Sequence, residues 1–465
     1  MQKIFKADPI IFICTLLLLS IGLFTLFSLT TTQIEGRAEF LQKEFYNQLI
    51  YSFIGIFLAI LLFSVPFYYL RLKWILFFIY IITSALLIYT ALFGLEIKGV
   101  RRWISIGSAI LDDGTIVGGV TIQASEFAKV TSILITSYLL SIPVIIAEKK
   151  TLFFSKLKDY INENKWFFLA IIANFITLGI IVSQRSLSVA AVAALIIGIV
   201  FFAGINNKLM ALLSSISLFI SVLISQNIFF NLDIATRLIL FIIPIAIYVF
   251  AVYSNKVNEF AIFFTIAIGV LSGSLLVNFT WNNVLRDYQR ERIESFMNVN
   301  ASKEDEGFQQ EQSKISIGAG QVYGQGFRQI SDSRMLLLPE PTTDFIFAIF
   351  SFKYGFIGAS LLILIFLILV IRLFILADKM NDKYSSLILI GTGGMILIQM
   401  FINIGMNLGI LPVGGTTLPF ISAGGSSLIS MLIAIGISEN IIATNRMEKT
   451  IHSRKDKVVI AGWNG

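Results

Sequence analysis

The chain is a succession of apolar runs, each close to the length that crosses a bilayer. About 20 predominantly apolar residues span the hydrocarbon core as an α-helix. Only a helix or a closed barrel satisfies its backbone hydrogen bonds there. Such runs lie at 8–31, 48–67, 74–94, 126–147, 166–183, 187–205, 208–229, 235–253, 258–281, 342–376, 385–409 and 424–443, twelve in all. The 342–376 run is long enough to enter obliquely or to carry a turn at the interface. Composition agrees: of 465 residues 56% are hydrophobic and 14% charged, with a mean hydropathy of +0.85. The expected fold is all-α, a polytopic integral membrane helix bundle of about 12 transmembrane helices.

Much chemistry is excluded at once. Cys14 is the only cysteine and lies inside the first apolar run, so there is neither a disulfide framework nor a thiolate metal site. His452 is the only histidine and sits in the C-terminal tail, which removes histidine acid–base catalysis and His/Cys zinc sites. No cofactor is expected, with a divalent cation left open. The net charge of +7 fits a basic face beside anionic membrane lipid better than a nucleic-acid partner.

The first run follows Lys3 and Lys6, exceeds a signal-peptide core and lacks a small-residue cleavage site, so it reads as a retained helix. With the N-terminus in the cytoplasm, the inner loops hold Arg71, Lys73, Lys149, Lys150, Lys156 and Lys158. The tail adds Arg446, Lys449, Arg454, Lys455 and Lys457, so the C-terminus returns to the same side. The segments 95–125, 282–341 and 410–423 then lie outside and hold nearly all the unusual residues.

Loops beyond about a dozen residues are usually functional or disordered, which singles out 282–341. Within it, Asp287 to Phe296 can form a short amphipathic helix, either lying on the membrane surface or capping the preceding span. GAGQVYGQG (Gly318–Gly326) matches no nucleotide-binding pattern, and its glycines allow tight turns in an ordered loop. LGILPVGGTTLPFISAGGSSL (Leu408–Leu428) cannot continue as a helix through its prolines. It reads as a re-entrant turn that packs or that lines a cavity.

Several blocks stand in an order that resembles a known family. They are KGVRRWISIG (Lys98–Gly107), IQASEFAKV (Ile122–Val130), QSKISIGAG (Gln312–Gly320), YGQGF (Tyr323–Phe327), LPEPTTDFIFA (Leu338–Ala348), GFIG (Gly355–Gly358), the run Asn403–Leu428 and AIGISENI (Ala434–Ile441). Over about 95–443 the chain resembles the SEDS family, the RodA and FtsW proteins of bacterial elongation and division. The resemblance implies a SEDS-type transmembrane domain over 1–445, with extracellular loop 282–341, and a basic cytoplasmic tail over 446–465. It implies a multi-pass protein of the bacterial cytoplasmic membrane. It further implies a peptidoglycan glycosyltransferase that polymerises lipid II, the undecaprenyl-pyrophosphate disaccharide-peptide, on the outer membrane face beside a class B penicillin-binding protein. Family members usually have ten spans, so the reading of twelve implies an added pair or an overcount within 208–281. QSKI and the YQxxR pattern (Tyr288–Arg292) lean toward the elongation type, while LPEP leaves division open.

The reaction itself picks out residues. Transfer from a polyprenyl pyrophosphate needs a base for the incoming hydroxyl and cations for the leaving pyrophosphate. Arg101, Arg102, Lys314, Arg328 and Arg334 are outer cations; Arg suits bidentate phosphate contact and Lys a point charge. Glu126 opens a helix, where the dipole favours a carboxylate, and the resemblance makes it a functional position. Asp344 holds the family's TDFIFA position, where capping with Thr343 is the plainer role. The candidate substrate-binding set is Arg101, Arg102, Trp103, Glu126, Gln312, Lys314 and Asp344.

The family's catalytic aspartate falls on Ser302, whose hydroxyl is no base at neutral pH. Glu304, Asp305 and Glu306 stand close enough to replace it. Other blocks depart too. The family's QPDLGTA is QRSLSVA (Gln184–Ala190) with Ser186 at the Asp position, AEExG is SFKYG (Ser351–Gly355), QPSE is QASE (Gln123–Glu126) and SYGGSS is SAGGSS (Ser422–Ser427). The lost acids keep open a non-catalytic SEDS protein, a lipid II-binding scaffold or regulator of a penicillin-binding protein. A flippase of lipid-linked sugars is the other alternative, disfavoured because no chain of intramembrane acids suggests ion coupling.

Overall fold

The computed structural model describes residues 3–30, 38–97, 100–106, 109–110, 116–117, 120–143, 165–184, 186–204, 306–326 and 341–462. The chain divides into two compact units, Met1–Gly204 with Gln309–Gly465, and Ile205–Phe308. Of the second unit only 306–308 is described, so the architecture below is that of the first. The expected spans at 208–229, 235–253 and 258–281 and the expected surface helix at 287–296 lie outside the described residues.

After a single 3-10 turn (Ile4–Lys6) come α1 (Pro9–Thr30), α2 (Ala38–Ser64), the short α3 (Phe67–Leu70) and α4 (Lys73–Phe93). Strands β1 (Leu95–Ile97), β2 (Val100–Ile106), β3 (Ala109–Ile110), β4 (Ile116–Val117) and β5 (Val120–Ile122) follow. Next are α5 (Ala124–Ser141), α6 (Lys165–Ser183), α7 (Leu187–Gly204), α8 (Glu306–Ala319), α9 (Ile346–Asp378), α10 (Lys383–Asn407) and α11 (Gly425–Gly462). Seven of the described helices, α1, α2, α4, α6, α9, α10 and α11, are long and apolar enough to cross a membrane. The chain is a multi-pass helical membrane protein.

Two expectations need correction. Helix α2 begins at Ala38, well before the apolar run at 48: its first turns carry Glu39, Gln42, Lys43 and Glu44 among apolar residues, so they do not read as part of the span, yet Leu41 is already buried there. The outer segment 95–125 is not a plain loop, so the all-α expectation misses a small sheet. Strands β1, β2 and β5 form an antiparallel sheet in that order, with Ile104 opposite Ile122, and β3 pairs with β4. Its VRRWISI and VTI stretches are rich in the β-branched and aromatic residues that a pleated surface favours.

Helices α5 and α10 form the centre. Nearly every residue of α5 is buried, which explains how Glu126, Lys129, Thr131, Ser132, Thr136 and Ser137 are tolerated in it. Helix α11 packs along α2, where a Cβ on Gly436 would meet the Ala59 backbone within 3 Å; small residues let two helices approach closely in lipid. Outward, Phe53, Phe57, Trp74 and Phe78 are exposed, as side chains facing hydrocarbon are.

Both ends of the chain meet at one end of the bundle. Lys3 Nζ donates to Asn440 Oδ1 (2.7 Å), Lys6 Nζ to Thr450 Oγ1 (3.2 Å), and the Asp8 amide to Glu439 Oε2 (2.8 Å). Arg372 of α9 and Arg446 of α11 converge on the Asp8 carboxylate. Helix α11 runs on through the basic tail to Gly462, and Lys449 Nζ reaches the Lys379 carbonyl (2.9 Å).

The long run at 342–376 does carry a break. Helix α9 continues to Asp378 but bends at Gly355, where φ is 67° and ψ −168°. The amides freed at the bend are claimed by the turn after α8: Phe356 N donates to Gln321 O (2.8 Å) and Ile357 N to Val322 O (3.2 Å). In return Gln325 N and Gly326 N donate to the carbonyls of Phe352 and Lys353 (2.9 and 3.0 Å). The glycines of GAGQVYGQG thus make tight turns, as expected, with Gly324 and Gly326 at positive φ.

Candidate functional site

At the end of the bundle opposite the termini, the chain between α10 and α11 folds back as an irregular segment. Its first part is exposed, with Ile410 63% accessible, but its second part is buried: Leu418, Phe420, Ile421 and Ser422 are all nearly inaccessible. Its polar backbone is answered from three sides, as irregular structure at membrane depth requires. Asn403 Nδ2 donates to the carbonyls of Asp344 (3.0 Å) and Thr416 (2.7 Å), and Asn407 Nδ2 to Asp344 O (3.0 Å). Gln48 of α2 accepts from Gly424 N and donates to Ser422 O. Ser422 Oγ donates to Thr343 O (2.6 Å). Helix α8 docks on the same turn through Gln310, which donates to Met406 O and Leu411 O, and through Ser313, which donates to Asn407 O.

Two adjoining cavities open against this segment. The smaller, about 20 Å³, is lined by Glu126 and Lys129 of α5, Val189 and Val192 of α7, Gln399 of α10, Gln123 and Gly415–Thr417. That is room for roughly one water. Lys129 Nζ sits between the Glu126 oxygens, 2.8 Å from Oε1 and 2.7 Å from Oε2, with side chains only 3% and 8% exposed. Beside the pair, the Gln399 amide is buried and has no hydrogen-bond partner among the described residues, a group that water or a ligand would satisfy. The larger cavity, about 230 Å³, shares Gln123 and Thr417 with the first. Its walls are Glu44, Asn47, Gln48 and Tyr51 of α2, Trp103 of β2, Thr121 of β5, Thr343 and Ala423–Ser427.

The structure brings together part of the candidate set. Glu126 is in the first turn of α5, as expected, and faces the small cavity. Trp103 faces the large one. Arg102 and Asp344 flank Gly415: a Cβ there would lie 3.6 Å from Asp344 Oδ2 and 3.7 Å from Arg102 Nη1. The N-cap position of α9 is Phe345, which makes no side-chain cap hydrogen bond, and Asp344 stands one residue before it. Three others stand apart. Arg101 is exposed and donates to Leu92 O (3.3 Å). Lys314 is exposed on α8, its stem crossing the backbone of Gly409. Gln312 lies two residues before it on α8, and neither lines these two cavities. Ser302, Glu304 and Asp305 lie outside the described residues, as do Arg328 and Arg334, and of Glu306 only the backbone is described, at the start of α8.

Two of the lost acids have structural successors. Ser186 is buried just ahead of α7. In SFKYG, buried Lys353 donates to Ser28 O (2.8 Å) and Ser28 Oγ (2.7 Å), a cation at the C-terminal end of α1, where the helix dipole favours it. Sequence reasoning missed Lys129, Gln399 and the α2 wall. The available signal was polarity inside an apolar helix, which marks function by default in a membrane.

A multi-pass bundle with a buried ion pair beneath a polar chamber is what these residues define. The FtsW, RodA and SpoVE family, described as cell cycle proteins, matches residues 8–231 and 214–447. The chain belongs to that family. It is 28% identical over 432 residues to the peptidoglycan glycosyltransferase RodA of Treponema pallidum, covering 89% of this chain and 92% of that protein. Against the probable peptidoglycan glycosyltransferase FtsW of Saccharophagus degradans, identity is 44% over 142 residues, 30% of this chain and 36% of that one. Among solved structures, a chain of a peptidoglycan synthase complex that couples polymerization and crosslinking superposes with a TM-score of 0.62 at 21% identity, covering 94% of this chain and 98% of that one. The rod shape determining protein RodA of Thermus thermophilus gives 0.55 at 19% identity over 94% and 97%. At those identities the likeness shows a shared fold.

Proposed function

We propose that the chain is a peptidoglycan glycosyltransferase that polymerises lipid II on the outer face of the bacterial cytoplasmic membrane, next to a class B penicillin-binding protein. The observation that carries this reading is the buried Glu126–Lys129 pair under a polar chamber, in a chain that aligns along nearly its whole length with a named glycosyltransferase. Both termini are cytoplasmic in this reading and the chamber faces outward. Arg102, beside Asp344 at Gly415, and Lys314 of the outer loop hold the donor pyrophosphate, and a carboxylate among Glu304, Asp305 and Glu306 takes the acceptor proton. A non-catalytic SEDS scaffold is the second reading, favoured by Ser302 at the family's aspartate position.

The test is polymerisation of labelled lipid II by the purified protein with its cognate partner. Activity is expected in the wild type and lost when Glu304, Asp305 and Glu306 are all changed to Ala. Full activity of that triple variant removes the shifted base. Inactivity of the wild type together with gain of activity in Ser302→Asp establishes the scaffold reading instead.

A further inference from the structure

We infer that the small cavity beside the Glu126–Lys129 pair is a site for one ordered water, and that Gln399 acts through this water as a positioning residue for the Glu126 carboxylate. The place of the pair in the reaction rests on the glycosyltransferase reading; the water site rests on the cavity alone. Helix α10 carries three amides on one face, at 399, 403 and 407. Two of them are fully engaged. Asn403 Nδ2 donates to the carbonyls of Asp344 and Thr416, and its Oδ1 accepts from Asn407 Nδ2 (3.4 Å). Asn407 Oδ1 accepts from Ser313 Oγ (3.1 Å) and Ala348 N (3.2 Å). Gln399 is 2% exposed, yet neither its Oε1 nor its Nε2 has a partner among the described residues. Its side chain lines the small cavity together with Glu126 and Lys129 of α5.

A second buried atom in the same cavity asks for a partner. Lys129 Nζ hydrogen-bonds Glu126 Oε1, but it approaches Oε2, 2.7 Å away, at an angle that makes no hydrogen bond. Leaving buried polar atoms unsatisfied is costly, and one small group that both donates and accepts would satisfy the amide and the carboxylate together. Size and charge identify that group. The cavity holds about 20 Å³, and a water needs roughly 10–15 Å³ and about two to four polar partners. An anion would face the Glu126 carboxylate and a cation the Lys129 ammonium. A neutral water accepts from Gln399 Nε2 and donates to Glu126 Oε2. The bridge holds the carboxylate in the orientation that Lys129 neutralises, and it ties α5 to α10 beside Gly415–Thr417.

A high-resolution crystal structure of the full-length protein should show a water within hydrogen-bond distance of both the Gln399 amide and a Glu126 carboxylate oxygen. Gln399→Met and Gln399→Asn then separate the bridge from packing. Methionine matches glutamine in volume but cannot hold the water. Asparagine is one methylene shorter, keeps the amide and leaves room for a second water. If the Gln399 side chain only fills space, Gln399→Met should melt above Gln399→Asn, because it removes an unsatisfied amide while asparagine leaves a cavity. The bridge reverses that order, and Gln399→Met should melt below Gln399→Asn. Lipid II polymerisation reads the positioning role. Gln399→Met should lower kcat about tenfold or more with KM little changed, since contacts to substrate are left in place, and Gln399→Asn should recover most of that loss. A crystal structure without that water, or Gln399→Met melting at or above Gln399→Asn, overturns the water site. Full turnover in Gln399→Met overturns the positioning role. A wild type that does not polymerise overturns the enzyme reading and the positioning role with it, while the crystal structure and the melting order still decide the water site.

Discussion

Lys129 lies one turn beyond Glu126 on α5, and each side chain is the other's neutralising partner in a nearly waterless place. Breaking such a pair by removing one member leaves the other charge buried and unpaired, which costs about 3–5 kcal/mol. Lys129→Met should therefore lower the melting temperature of the detergent-solubilised protein markedly. The double variant Glu126→Gln/Lys129→Met should recover most of that loss, since two neutral groups of similar volume remain. Polymerisation should be absent in both. A Lys129→Met protein that melts like wild type would mean water reaches the pair. Glu126 was legible in the sequence because it opens a helix within QASE, but Lys129 was passed over because its role is set by neighbours on α7 and α10, far away in the chain. Arg102 and Asp344 were legible as charges and Gly415 was not, although its backbone is the surface beside which they meet.

At the scale of elements, the bend in α9 is the feature that most depends on one residue. Gly355 takes a positive φ, and a Cβ there would also strike the Val322 carbonyl and the Gly324 backbone. An L side chain in such a conformation costs of order 1–3 kcal/mol before the clash is counted. Gly355→Ala should lower thermal stability by at least that amount and weaken lipid II polymerisation, since Asp344 and the start of α9 hang from the same segment. Gly318→Ala is the matching control. It sits on α8 with open space where the Cβ would go, and in a helix Ala is better than Gly by about 0.8–1 kcal/mol. Equal melting temperatures for Gly355→Ala and wild type would show that the bend is not held by the glycine. The sequence showed that the run was too long to be a plain span, because length is a local property. It could not show where the run bends, because the bend is fixed by hydrogen bonds from the turn after α8. The same holds for the 95–122 sheet, four of whose five strands are only two or three residues long, too short to announce themselves by alternation.

For the whole molecule, run lengths and the placement of Lys and Arg lead to the expectation that both ends of the chain lie on one side, and residues 3–8 do meet α11 at one end of the bundle. What ties that end together was not legible, because Asp8, Arg372 and Arg446 come from three distant parts of the chain. Asp8 is fully buried at 0% exposure, while the two guanidinium side chains are 27% and 31% exposed. Burial pushes the Asp8 carboxyl up, but hydrogen bonds and charge from Arg372 and Arg446 outweigh it and hold the group below its ordinary value of 3.8. A depressed carboxylate contributes stability that is fully present above the unfolded value and is lost as pH falls through the lower folded one. The clamp therefore stays closed from neutral pH down to the ordinary aspartate range and opens only below it. Asp8→Asn leaves both arginines without their counter-ion. Because those arginines are partly solvated, the loss should be about 2–3 kcal/mol, less than for a fully buried pair. Melting temperatures of wild type and Asp8→Asn, measured from pH 7 downward, should still differ at about pH 4 and converge in stronger acid. A gap that instead widened on acidification would mean that Asp8 titrates above its unfolded value, and that desolvation, not the two arginines, governs this end of the bundle.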